Sequence, residues 1–119
     1  MLQHKHCLVI SESEQKFHDL TYIEDWVSRL VSALGMNMLL GPFSVYCSLE
    51  GNEGITAGAL LSTSHIMLHI FEEETSIIQL DVYSCSNIDL DVIKEFIWEF
   101  NPVFIEWKFL DREHGLNEI

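Results

Sequence analysis

Two stretches of three- and four-residue apolar repeat, separated by a long run of two-residue alternation, restrict this chain more than any other feature. Ile23, Trp26, Val27, Leu30, Val31 and Leu34 fall on one face of a helix. Thr21 and Glu24 have the spacing of a capping box, and Gly35 marks the stop. A second stripe, Leu90, Ile93, Phe96, Ile97 and Phe100, follows Asn87 or Asp89 as its cap and ends at Pro102. Each helix has one apolar stripe only, so each needs a single apolar surface to lie on.

The rest of the chain supplies that surface. Residues 7–10 are short, β-branched and flanked by polar neighbours, which predicts a strand. Residues 38–49 predict one long strand or two short ones broken near Gly41-Pro42. After a turn at 51–54, residues 55–61, 65–71 and 75–84 predict three further strands, with the polar run 72–74 as a turn. A last strand covers 103–110, and 111–119 reads as a frayed tail. The order β, α, several β, α, β predicts one α/β (α+β) domain over 1–119. The expected form is a two-layer sandwich, a mostly antiparallel sheet with both helices on one face. If Ile66, Leu68 and Ile70 meet the helices, then His65, Met67 and His69 point the other way, with Gln79, Asp81, Tyr83 and Cys85 beside them. That outer face is neither wholly polar nor wholly apolar, so a ligand or a second subunit is expected to cover part of it.

Charge narrows the partners. With 19 acidic against 6 basic residues the chain carries a formal charge of −13, which argues against nucleic acid and favours a cationic small substrate. No apolar run is long enough to suggest a membrane span, and no secretory pattern opens the chain. Three irregularly spaced cysteines, Cys7, Cys47 and Cys85, fit reduced thiols in a cytoplasm better than a disulfide frame.

The segment Thr63-Ser64-His65-Ile66-Met67-Leu68-His69, followed by Cys85 after a strand-like run, resembles the self-processing core of the prokaryotic S-adenosylmethionine decarboxylases. The resemblance is close over the second half of the chain and looser over the first. It implies that Ser64 attacks the peptide bond before it, that the chain splits between Thr63 and Ser64, and that Ser64 becomes a pyruvoyl cofactor. It further implies that Thr56 and His69 assist processing and that Cys85 returns a proton to the substrate carbon. Phe71 would form an aromatic wall for adenine and Glu73 would hold the ribose hydroxyls. The family is a dimer whose sheets pack together, so a homodimer is implied here.

The chain departs from the family pattern at three places. Thr63 stands where the family has glutamate, Ile70-Phe71-Glu72-Glu73 replaces Thr-Trp-Pro-Glu, and one extra residue separates His69 from Cys85. Two alternatives therefore stand beside S-adenosylmethionine decarboxylation: a relative acting on ornithine or arginine, and a non-processing dimeric binding module. No metal is expected. His65 and His69 have the spacing of helical ligands, but on a strand they stand about 13 Å apart, and His4 and His6 sit near the start of the chain.

Overall fold

Alternation and helical stripes produce the elements they predict. The computed structural model describes residues 4–119, which form β1 (Lys5–Ser13), α1 (Leu20–Ala33), β2 (Met38–Cys47), β3 (Gly54–Leu61), β4 (Ser64–Glu72), β5 (Ser76–Ser84), α2 (Leu90–Trp98), β6 (Pro102–Asp111) and β7 (Asn117–Glu118). The strands make one antiparallel sheet in the order β2-β3-β4-β5-β1-β6-β7. Strands β2 to β5 follow one another as a meander, and β1 enters between β5 and β6. It is antiparallel to both, with Val9 opposite Leu80 on one side and Trp107 on the other.

One face of the sheet is buried under the helices. Its rows run through Cys7 and Val9, Ile55, Ala57 and Ala59, Ile66, Leu68 and Ile70, and Ile78, Leu80 and Val82. Ile23, Trp26, Val27, Leu30 and Val31 of α1 and Ile93 and Ile97 of α2 close over them. Each fully buried aliphatic side chain contributes roughly 1.5–3 kcal/mol, so packing rather than helix propensity holds these elements. Trp26 stacks on Phe100 with ring centroids 4.8 Å apart and donates its indole N–H to the Phe96 carbonyl at 3.0 Å. Arg29 clamps the Glu99 carboxylate with two bonds of 2.7 Å, tying α1 to the end of α2.

Several local expectations are corrected. The α1 cap is Asp19, whose carboxylate accepts from Thr21 N–H at 3.0 Å and Tyr22 N–H at 3.2 Å; Thr21 lies inside the helix and forms no capping box. Gly35, at φ 69°, does close the helix. Asp89 caps α2, which stops at Trp98, four residues short of Pro102; the chain then turns through Asn101 at φ 57° and Pro102 begins β6. Glu72 belongs to β4 rather than to the following turn. The tail is tied down at its end, where β7 pairs with Leu110 and Asp111 of β6. His6 is part of β1 and paired on both sides.

Candidate active site

The β3–β4 hairpin turns on two residues only, Ser62 and Thr63, because Leu61 is paired with Ser64. Such a tight reversal drives Thr63 to φ 53°. A β-branched residue there is an outlier, since its Cβ crowds the backbone at a cost of about 1–2 kcal/mol. Strain of this kind sits on the residue that precedes Ser64. The turn is also where three donors converge on one acceptor. The Ser62 carbonyl accepts from Thr63 Oγ1 at 2.7 Å, from Ser64 Oγ at 3.2 Å and from Cys85 Sγ at 3.7 Å.

Antiparallel pairing of β4 with β5, His65 opposite Tyr83, brings the residue after β5 to the start of β4. Cys85 therefore meets Ser64, and its backbone N–H donates to Ser64 Oγ at 3.1 Å. A small cavity of about 150 Å³, lined by Asn37, Leu61, Ser62, Ser64, Ser84 and Cys85, opens beside them. The Thr63 hydroxyl first, and the Ser64 hydroxyl second, hold the Cys85 thiol below its ordinary value, because hydroxyl donors favour the thiolate. Cys7 is its opposite: burial pushes that thiol up to about 11.

Thr56, His69 and Phe71 form a second group on the open face of the sheet. Thr56 is paired with His69 across β3 and β4, and their side chains meet at 3.0 Å between Oγ1 and Nδ1. Phe71 stacks against the His69 ring, centroids 6.1 Å apart and planes 27° inclined. The two groups are separate within one chain. Five strand residues span about 16 Å, and Ser64 shares the parity of buried Ile66, so it leaves β4 on the face opposite His69. Glu73 is further still. It lies exposed on the β4–β5 turn, at the other end of β4, about 30 Å along the strand from Ser64.

The open face also carries a groove of about 470 Å³ between Leu8, Ile10, Met67, His69, Asp81 and Lys108. Around it stand large exposed apolar side chains: Val45 at 59%, Leu60 at 45% and Phe104 at 42% exposure. At one end of this face His6, His65 and Asp81 come together, the ring nitrogen of His65 standing 3.4 Å from the Asp81 carboxylate. The reasoning that separated His65 from His69 holds for that pair, but it did not reach this cluster. Period-two alternation signals that His65, Asp81 and Tyr83 share a face; nothing local signals that β1 brings His6 between the same neighbours. The Ser62 carbonyl was likewise missed, although the three-residue gap between the predicted strands 55–61 and 65–71 marks the turn that exposes it.

No helix among the described residues is long and apolar enough to cross a membrane. No curated protein sequence matches the chain. Among solved structures, the crystal structure of the adenosylmethionine decarboxylase from Aquifex aeolicus VF5 superposes with a TM-score of 0.71 at 21% identity, over 96% of this chain and 92% of that one, which establishes the fold. The family model described as S-adenosylmethionine decarboxylase matches residues 5–113, from the first strand through the last long one. The chain belongs to the S-adenosylmethionine decarboxylase family, and that membership implies a decarboxylase.

Proposed function

We propose that this protein is a pyruvoyl-dependent decarboxylase of S-adenosylmethionine that cuts itself between Thr63 and Ser64 and acts as a homodimer. The observation that carries the reading is the position of the Ser64 hydroxyl. It is held between the Cys85 N–H and the Ser62 carbonyl, on a turn strained at Thr63. Attack by Ser64 Oγ on the Thr63 carbonyl carbon breaks the peptide C–N bond, forms an ester and leaves the Ser64 nitrogen as an amine. Opening that bond releases Thr63 from its left-handed conformation, so the strain favours the step. Elimination then takes the Ser64 α-proton and expels Thr63 as a carboxylate. Water finally replaces the nitrogen, which departs as ammonia.

A pyruvoyl group suits residue 64, since its three carbons are those of the serine and the adjoining cavity admits a substrate amine. What it supplies is a sink for the electron pair left when carbon dioxide departs. Cys85, beside residue 64 and held below the usual thiol range, returns a proton to the substrate's α-carbon. Thr56 and His69 serve processing, His69 by assisting the elimination. Because one chain holds them about 16 Å from Ser64, a second copy brings its Thr56 and His69 to the first copy's Ser64. Phe71, stacked beside His69, gives adenine a flat partner, and Glu73 holds the ribose hydroxyls. The exposed apolar side chains around the open groove are the surface such a dimer would cover. An excess of negative charge draws the cationic sulfonium substrate. The product supplies aminopropyl groups for polyamine synthesis in the cytoplasm, where the three free thiols stay reduced.

Intact mass of freshly purified protein under denaturing conditions tests this reading. Two fragments meeting at Thr63/Ser64, the later one with a pyruvoyl terminus and both absent from Ser64→Ala, are expected. A single chain that stays uncut on long incubation would sink the enzyme and leave a binding module as the better account.

A further inference from the structure

The cluster on the open face of the sheet has no part in the chemistry above. His6 on β1 and His65 on β4 both stand opposite Tyr83 of β5, and Asp81 lies two residues along β5 on the same face. One ligand atom from each of His6, His65 and Asp81 lies within 4.8 Å of the other two. The Nε2 atoms of both histidines turn toward the same carboxylate oxygen, that of His6 in direct contact and that of His65 at 3.4 Å. Tetrahedral zinc with bonds of about 2.0–2.1 Å sets its ligand atoms about 3.3 Å apart, so small side-chain adjustments suffice. All three residues are on paired strands, which gives the cluster a rigid base.

We propose that His6, His65 and Asp81 form a site for a divalent transition ion of the zinc class, with a further position open to water. Two imidazoles and one carboxylate suit zinc, cobalt or nickel, whereas magnesium and calcium take oxygen ligands. Arg112 sets the affinity. Its Nη1 donates to His6 Nδ1 at 2.9 Å, which fixes the neutral ring with its proton on Nε2, facing Asp81. Coordination at Nε2 moves that proton to Nδ1, where it faces the guanidinium. Arg112 must then swing away from His6 and from the Tyr83 ring, which its Cζ now overlies at 4.6 Å. It is exposed and free to do so. The arginine is thus a built-in competitor of the metal.

Cobalt and zinc titrations of the untagged full-length chain, stripped with chelator and carried out also on Ser64→Ala, separate this inference from self-cleavage. One ion per chain is expected, with cobalt bands of nitrogen and oxygen ligation that zinc abolishes. Asp81→Asn and His65→Gln should each weaken binding by at least about 10-fold, Arg112→Ala should strengthen it, and His18→Ala should leave it unchanged. Should a variant misfold by circular dichroism, zinc protection of His6 and His65 from diethyl pyrocarbonate reads the same site on the unaltered chain. The proposal is overturned by absence of binding, by affinity indifferent to Asp81 and His65 with no such protection, or by thiolate-to-cobalt bands that put the ion on a cysteine.

Discussion

Thr63 and Cys85 show how much chemistry one tight turn can set. The same two-residue reversal that strains Thr63 aims its hydroxyl, and that of Ser64, toward the Cys85 thiol. A lowered pKa means a larger thiolate fraction at any pH below the ordinary thiol value. In the uncut Ser64→Ala chain, Cys85 should therefore alkylate with an inflection below that value. Adding Thr63→Val should move the inflection upward, because the Thr63 hydroxyl is the leading cause of the shift. Cys7, buried and pushed up to about 11, should resist labelling until the protein unfolds. Peptide mass spectrometry of iodoacetamide-treated protein across a pH series checks all three. A Cys85 inflection at or above the ordinary value would refute this account of its environment.

At the scale of elements, the stripes of α1 and α2 and the alternation of β4 and β5 were legible because each is a local repeat. Ile66, Leu68 and Ile70 could only share a face with one another, and that face had to be the buried one. Caps were read less well. Thr21 with Glu24 satisfies the spacing of a capping box, but Asp19, two residues earlier, has a carboxylate that reaches the first free N–H groups. Asp19→Ala should cost about 1 kcal/mol, seen as a lower urea midpoint with unchanged slope. Thr21→Ala should leave the midpoint almost where it was. Equal losses in the two variants would restore the capping box and contradict the cap described above.

At the scale of the molecule, one sheet carries two groups of residues that the proposed catalytic centre would need together and that a single chain keeps apart. Ser64 and Cys85 are at the start of β4, while His69 and Thr56 lie mid-strand on the opposite face. If two copies complete each other, a chain with His69→Ala stays uncut alone and is cut when coexpressed with Ser64→Ala. The second chain supplies His69 to the Ser64 of the first. About half of the His69→Ala chains should be processed if the two pair at random in a twofold dimer. Intact mass of the coexpressed sample reads this directly, and an uncut His69→Ala chain in every mixture would show that the site is not shared.

Order along the chain is enough to specify periodic elements, because a helix or strand is built from neighbours a few residues apart. It is also enough to place Ser64 next to Thr63 and both near a strand-ending Cys85, since antiparallel hairpins fold back on themselves with a register their turns dictate. The insertion of β1 between β5 and β6 is of another kind. It joins residues more than seventy positions apart, His6 to Asp81 and Tyr83, through a pairing that no local pattern encodes. Only the assembled sheet brings His6 to Asp81, because that contact follows from the order of strands, whereas the distance of His69 from Ser64 is already set within β4 by the rise and alternation of a single strand.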